Sequence, residues 1–134
     1  MIRIAIDGPG GAGKSTIAKL VGDKLGLEYI DTGAMYRAVG LKLNREGIKT
    51  DDLISISNIL EETSIDFVNG KIILDRDDVS DIIRTQEISK LASIYSQIPE
   101  VRSKLVDIQR KIAAGKSVIM DGRDIGTNVL TDAE

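Results

Sequence analysis

A glycine-rich stretch near the start of the chain has the residue types and the spacing of a phosphate-binding loop. Residues 8–15, with the sequence GPGGAGKS, fit the pattern G-x-x-x-x-G-K-[ST]. Glycines let successive backbone amides turn inward toward phosphate oxygens, and a helix that follows adds the partial positive charge of its N-terminus. The residues predicted to bind the phosphates of ATP are Gly8, Pro9, Gly10, Gly11, Ala12, Gly13, Lys14, Ser15 and Thr16.

Two side chains of this loop are expected to act directly on the phosphates and their metal ion. Lys14 provides a point charge for the β- and γ-phosphates, and Ser15 offers a hydroxyl to Mg²⁺. Thr16 is a second hydroxyl beside it, so the choice of metal ligand between the two stays open. The loop predicts ATP and Mg²⁺ as cofactors but not the reaction, since GTPases, ATPases and kinases of small molecules all use it.

Charged residues also follow two other apolar stretches of the chain. Residues 27–30 run into DTGAMYR at 31–37, and residues 117–120 run into DGRD at 121–124. Open α/β sheets bind their ligands at the carboxyl ends of the strands. One arginine from each stretch, opposite a phosphate-binding loop at a third strand end, suits a second phosphate held facing ATP. The pattern predicts phosphoryl transfer, in which the protein positions two phosphates and neutralises their charge.

Each of the two stretches also has a purely structural explanation. Asp31 or Thr32 is a suitable N-cap for a following helix, which would leave Arg37 on a solvated face. Arg123 and Asp124 are suited to an internal ion pair in a structural loop. We favour the second-phosphate interpretation because both stretches occur together with the glycine-rich loop.

The elements that must position these residues follow from the hydrophobic periodicity. We predict one α/β domain, residues 1–134, with a mostly parallel sheet flanked by helices and a small inserted β element at 64–80. An apolar stripe of the first helix, Ile17, Leu20, Val21 and Leu25, is expected to form its core face, with Gly26 as a C-terminal cap. Thr50 or Asp51 is the expected N-cap of the third helix, and Gly115 the cap that ends the last one. The predicted strands are 2–7, 27–30 and 117–120; the helices are 14–25, 34–45, 50–62, 81–95 and 99–114; the hairpin pairs 65–68 with 71–74 across Asn69-Gly70.

The composition excludes several other classes of function. The chain of 134 residues is 42% apolar and 29% charged, with a net charge of −3, which predicts no general affinity for nucleic acid or anionic membranes. It has no cysteine and no histidine, so disulfides, zinc sites and Ser-His-Asp chemistry are unsupported. No apolar run approaches the length of a membrane span, and we expect a cytoplasmic protein.

Five segments, in this order along the chain, resemble the bacterial-type cytidylate kinase family of P-loop nucleoside monophosphate kinases. They are GPGGAGKST at 8–16, DTGAMYRA at 31–38, IRTQE at 83–87, ASIYSQIPEVR at 92–102 and DGRDIGT at 121–127. The resemblance covers essentially the whole chain, and it implies a P-loop NTPase-type fold with the small β insert in the monophosphate-binding part. It also implies transfer of the ATP γ-phosphate to CMP or dCMP.

The resemblance implies a role for each matching residue. Lys14, Arg37 and Arg123 are expected to be catalytic. Thr32 joins the two arginines at the CMP phosphate, and the residues expected to read cytosine are Ser93, Arg102 and Asp124. A carboxylate accepts from the exocyclic amine of cytosine but meets a carbonyl oxygen in uracil, which supports the last assignment.

The resemblance further implies parts that do not occur in these residues. They are two more strands, a mobile arginine-bearing lid and an acidic residue for the ribose. We therefore expect this chain to lack part of its catalytic charge and to leave one side of its first strand exposed. The whole protein is expected to be a monomer with no partners except nucleotides. The alternative functions are a kinase of a non-nucleotide alcohol and an ATP-binding module without turnover.

Overall fold

A three-stranded parallel sheet and flanking helices give the chain the predicted α/β class. The computed structural model describes residues 2–7, 14–68 and 71–122. They divide into a first unit, which draws on Met1–Gly33 and Val106–Glu134, and a second unit, Ala34–Leu105. In the described ranges no helix has the length and apolar character needed to cross a membrane.

Strands and helices alternate along most of the chain. The elements are β1 (Arg3–Asp7), α1 (Lys14–Leu25), β2 (Glu28–Asp31), α2 (Thr32–Arg45), α3 (Leu53–Glu62), β3 (Ile65–Val68), β4 (Lys71–Leu74), β5 (Asp77–Asp78), a 3₁₀ turn (Ile82–Arg84), α4 (Gln86–Tyr95), α5 (Pro99–Gly115) and β6 (Val118–Gly122). The predicted helix at 14–25 is confirmed at both ends, and Gly26 ends it with a φ of +68° that other residues rarely adopt. Gly115 is itself the last residue of α5, so the helix includes the position predicted to cap it.

The last strand of the described residues lies in the middle of the parallel sheet. β6 pairs with β1 on one side and with β2 on the other, which gives the order β1-β6-β2. Among the described residues β1 pairs with β6 alone, so it is an edge strand here. The register sets Asp7 beside Gly122 and Asp31 beside Asp121, so all three strands end at one edge of the sheet.

Helix α1 packs on this sheet mainly through its small residues, and the predicted core face is wrong for three of its four residues. Ala18 is fully buried, and a Cβ added to Gly22 would lie 3.2 Å from Ile119 Cγ2. Val21 packs beside these small residues, against the buried cluster of Ala18, Leu27 and Ile119. Three residues of the predicted stripe are more than half exposed: Ile17 (56%), Leu20 (58%) and Leu25 (54%).

The inserted β element is a three-stranded antiparallel sheet rather than a simple hairpin. The predicted pairing is confirmed, with Val68 opposite Lys71, while the predicted turn residues 69–70 lie outside the described residues. The additional strand β5 pairs with β4 after a turn at Asp75 and Arg76, whose φ angles are 49° and 77°. Neither residue is glycine, so the sequence contained no strong turn signal there.

Hydrogen bonds to Asp75 stabilise that unusual turn. Its carboxylate accepts from the backbone amide of Ser64 at 2.9 Å and from Lys42 Nζ of α2 at 2.6 Å. Aspartate tolerates the left-handed conformation when such local bonds are available. The small sheet is therefore tied to α2 within the second unit.

Two predicted helix starts are wrong because other side chains cap the backbone. Asp52, rather than Thr50 or Asp51, accepts from the Ser55 amide at the start of α3, and hydrogen bonding with Ser55 lowers the pKa of its carboxyl. The predicted helix at 81–95 is divided, because Thr85 has an extended backbone and its hydroxyl accepts from the Ile88 amide at 3.2 Å. A Thr N-cap satisfies an amide that has no intrahelical partner, so α4 begins after it.

We predict that Thr85→Ala lowers the free energy of unfolding by about 1 kcal/mol, because the first turn of α4 loses its cap. Thr85→Ser retains a capping hydroxyl, so its free energy of unfolding is expected to be close to that of the wild type. Urea denaturation of the full-length protein and both variants measures the difference. Equal stability of the alanine and serine variants would contradict the capping role.

Candidate functional site

The first unit brings three of the predicted segments to one edge of the parallel sheet. β1 ends at Asp7 and α1 begins at Lys14, so the strand before the glycine-rich motif and the helix after it are confirmed. Thr32 follows β2 directly, and Arg123 follows the last residue of β6 in the chain. Parallel strands that end side by side form the edge at which such sheets bind ligands.

Several predicted site residues lie outside the described residues, and their roles stay predictions. They are Gly8, Pro9, Gly10, Gly11, Ala12, Gly13, Arg123 and Asp124. Lys14, Ser15 and Thr16 form the first turn of α1, where the helix macrodipole and the first backbone amides favour an anion.

Thr32 is buried and makes a hydrogen bond that the sequence did not predict. Its hydroxyl donates to the backbone carbonyl of Asp121 at 2.9 Å, and the residue is 4% exposed. A threonine hydroxyl has one proton to donate, so this bond competes with donation to a phosphate. The bond also joins the start of α2 to the end of β6.

Asp121 is a second buried polar residue at the same edge of the sheet. It is 4% exposed, and its Oδ2 accepts from the Tyr29 hydroxyl at 2.9 Å. Its neighbour in register is Asp31, whose Oδ1 would lie 3.2 Å from a Cβ added to Gly33. The Asp31 carboxylate therefore lies beside the first turn of α2, where the helix macrodipole stabilises a negative charge.

The second unit brings together the helices that carry Arg37 and Ser93. A Cβ added to Gly40 of α2 would lie 3.2 Å from the backbone nitrogen of Ala92 in α4. Gly40 lies one helical turn after Arg37, and Ser93 follows Ala92 directly. Glycine at this position allows the close backbone approach, and so two segments distant in sequence become neighbours.

Arg102 of α5 lies close enough to Tyr36 of α2 for their charges to interact within the second unit. Burial raises the pKa of the Tyr36 phenol above its ordinary value, and the Arg102 guanidinium opposes that shift. The phenol is therefore neutral over the physiological range. This places Arg102 near the residue that precedes Arg37.

Two exposed residues of the family segments make local bonds to the backbone. The Ser93 hydroxyl donates to the carbonyl of Ser89 at 3.2 Å, and Arg84 Nε donates to the carbonyl of Ser80 at 3.1 Å. Bonds of this kind are weak when solvent competes, so the Ser93 hydroxyl remains accessible to a ligand.

Sequence reasoning did not assign roles to Tyr29 and Tyr36. The chain has only three tyrosines, and a buried tyrosine usually finds a partner for its hydroxyl. That rule predicts a polar group near the Tyr29 hydroxyl but does not predict which residue provides it. The partner, Asp121, is distant along the chain and becomes adjacent only through strand pairing.

Comparison with known families identifies relatives of this chain. A family model described as "Cytidylate kinase" matches residues 4–134. A protein of Caldanaerobacter subterraneus subsp. tengcongensis named Cytidylate kinase is 55% identical over 133 residues, which are 99% of this chain and 59% of the relative.

Two other relatives carry the same name. The protein of Caldicellulosiruptor saccharolyticus is 55% identical over 99% of this chain and 61% of its own length. That of Pelotomaculum thermopropionicum is 49% identical over 98% of this chain and 61% of its own length. The chain thus spans about three-fifths of the curated relatives that it matches.

We predict that Thr32→Val lowers the free energy of unfolding by about 1 kcal/mol, because it deletes the hydroxyl bonded to Asp121 and keeps the side-chain shape. Thr32→Ser keeps the hydroxyl donor, and we expect a smaller decrease in the free energy of unfolding. Chemical denaturation of both variants in the full-length protein tests this. If valine proves as stable as threonine, the Thr32 bond contributes nothing to the fold.

Proposed function

The chain belongs to the cytidylate kinase family, and from this membership we propose that the protein transfers the ATP γ-phosphoryl group to CMP or dCMP, giving ADP and CDP or dCDP. The observation that carries the proposal is the position of β6 between β1 and β2. This order makes the glycine-rich loop, Thr32 and the DGRD segment leave one edge of one sheet. A donor phosphate and an acceptor phosphate then have binding segments on neighbouring strand ends.

The donor side of the proposed site is the start of α1. Lys14 contacts the β- and γ-phosphates as a point charge, and the amides of residues 8–13 surround the phosphate oxygens. Ser15 is the proposed protein ligand of Mg²⁺, with Thr16 as the adjacent hydroxyl. Mg²⁺ commonly takes few protein ligands and completes its coordination with phosphates and water, which fits a site of one hydroxyl. When bound, it neutralises charge on the transferring phosphates.

The acceptor side uses positive charge from two parts of the chain. Arg37 and Arg123 bind the phosphate of CMP and hold its oxygen in line with the γ-phosphorus. No covalent bond to the protein forms, so the rate enhancement comes from positioning and charge neutralisation. Thr32 supports this arrangement through the end of β6, to which its hydroxyl is bonded.

Base recognition is assigned to Ser93, Arg102 and Asp124. The Asp124 carboxylate accepts from the exocyclic amine of cytosine. Uracil offers a carbonyl oxygen at the same position, which leaves the carboxylate facing an acceptor and disfavours UMP. The contact between α2 and α4 at Gly40 supports a common pocket for Arg37 and Ser93.

A panel of phosphate acceptors tests the proposed reaction. The full-length protein is supplied with ATP and Mg²⁺ together with CMP, dCMP, UMP, AMP or shikimate, and ADP release is measured. We expect turnover of CMP and dCMP well above that of the other acceptors. Preference for shikimate would identify a kinase of a non-nucleotide alcohol, and ATP binding without transfer to any acceptor would identify a binding module.

For the acceptor phosphate, we predict that Arg37→Ala raises KM for CMP at least tenfold. The size follows from the loss of a charge-assisted hydrogen bond, which is worth about 1.5–3 kcal/mol. Arg45→Ala is the matched control, because Arg45 is an exposed arginine in the last turn of the same helix. Steady-state kinetics that show equal KM values for both variants would remove Arg37 from the site.

For base recognition, we predict that Asp124→Ala abolishes the preference for CMP over UMP. Asp124→Asn is expected to reduce the preference for CMP over UMP by less than the alanine variant does. The asparagine amide is able to turn either a donor or an acceptor toward the base. The ratio of kcat/KM for CMP and UMP is the measurement. A ratio unchanged from wild type in the alanine variant rules out base reading by Asp124.

A further inference from the structure

We infer that Tyr29 is a positioning residue for the acceptor nucleotide, because it anchors the strand end from which Arg123 and Asp124 follow. The inference rests on the proposed function, in which those two residues bind CMP. Tyr29 belongs to none of the motif segments and lies in the middle of β2. Its role follows from its contacts with helix α1 and with Asp121.

The ring of Tyr29 is held beneath helix α1. It packs with the buried cluster of Ala18, Leu27 and Ile119, and the Nζ of Lys19 lies 5.6 Å from the centroid of its ring. A cation at that distance is attracted by the face of an aromatic ring. The ring is thus fixed by the helix whose first residues are Lys14 and Ser15.

The hydroxyl of Tyr29 is directed toward the neighbouring strand. Tyr29 pairs in register with Ile119, and its hydroxyl donates to the Oδ2 of Asp121 at 2.9 Å, two residues further along β6. Diagonal neighbours of this kind are within reach of an aromatic side chain. Since Asp121 is 4% exposed, the bond to its carboxylate is little weakened by water.

Asp121 is consequently held at two different atoms. Tyr29 bonds its carboxylate and Thr32 bonds its backbone carbonyl, both at 2.9 Å. Gly122 follows and restricts the backbone little, and Arg123 comes next. Arg123 and Asp124 come two and three residues after Asp121 in the chain, so we expect their placement at the acceptor nucleotide to depend on how firmly Asp121 is fixed. A displacement of about 1 Å in a positioning group is able to cost about a hundredfold in rate.

This role differs from a direct role of Asp121 on a metal-bound water. In a positioning role, deleting the Tyr29 hydroxyl affects the acceptor nucleotide and leaves ATP binding unchanged. If Asp121 served the metal and Tyr29 served Asp121, the Mg²⁺ dependence and kcat would change first. The kinetic parameter that changes in the variant therefore distinguishes the two roles.

The test is Tyr29→Phe in the full-length protein, which removes one oxygen atom and retains the packed ring. We expect KM for CMP to rise about tenfold, as for a lost hydrogen bond to a charged group, with KM for ATP and the Mg²⁺ dependence within about twofold of wild type. Tyr95→Phe is the matched control, because the Tyr95 hydroxyl also donates to a distant partner, the Ile48 carbonyl, at 2.8 Å. Equal KM values for CMP in the two variants, or a change confined to kcat and Mg²⁺ dependence, would overturn the inference.

A double-mutant cycle establishes whether Tyr29 acts through Asp121. In an Asp121→Ala background, Tyr29→Phe is expected to change KM for CMP by less than about twofold, because the acceptor of its bond is gone. If the effects of the two substitutions on KM for CMP instead multiply in the double variant, Tyr29 does not act through Asp121. If the alanine variant does not fold, the single variants Tyr29→Phe and Tyr95→Phe still decide the question.

Amide hydrogen exchange separates this inference from the proposed function. Faster exchange at residues 121–124 in Tyr29→Phe, with no such change in Tyr95→Phe, supports anchoring even if the wild type does not phosphorylate CMP. Unchanged exchange there overturns the anchoring role even if CMP proves to be the substrate.

Discussion

The parallel pairing of β6 with both β1 and β2 is the constraint on which the candidate site depends. β6 comes after most of the chain, yet its backbone bonds place it between the first two strands in sequence order. Its register sets Gly122 beside Asp7 and Asp121 beside Asp31. Without this register, the segments that follow the three strands would have no common edge, whatever side chains they carried.

Close approach at two glycines is the second condition for the arrangement. Gly22 lets α1 lie directly against Ile119 of the central strand, so the first turn of α1 is set relative to the sheet. Gly40 does the same for α2 and α4 in the second unit, where the neighbour is the backbone at Ala92. A side chain at either position would require the neighbouring atoms to move by a few tenths of an ångström, in interiors that are closely packed.

The buried polar residues at the edge of the sheet connect folding with the proposed chemistry. Thr32 and Asp121 are each only 4% exposed, and both have hydrogen-bond partners that fix them. Satisfied polar networks in a low-dielectric interior are rigid, because each lost bond leaves a costly unpaired group. Rigid strand ends are what phosphoryl transfer requires, since it depends on holding two phosphates in line.

Local patterns in the sequence predicted most helices and strands. They were wrong where side chains or backbone groups from different positions compete for the same contact or hydrogen bond. Residues 14–25 form the predicted helix, yet the exposed side chains of Ile17 and Leu20 show that apolar spacing did not identify its buried face. Thr85 interrupts a predicted helix because its hydroxyl competes for a backbone amide. Strand β5 was not predicted because its turn has Asp75 and Arg76 where glycine is usual.

The sequence by itself determined the phosphate-binding motif, the order of most strands and helices, and the residue types available at each strand end. These are local properties, since they depend on the spacing of a few consecutive residues. Tertiary structure alone decided that β6 lies between β1 and β2, that Thr32 donates to the backbone carbonyl of Asp121, and that Tyr29 donates to the carboxylate of the same residue. The physical reason is that strand register and burial join residues distant along the chain, and no local pattern specifies which distant partner a side chain meets.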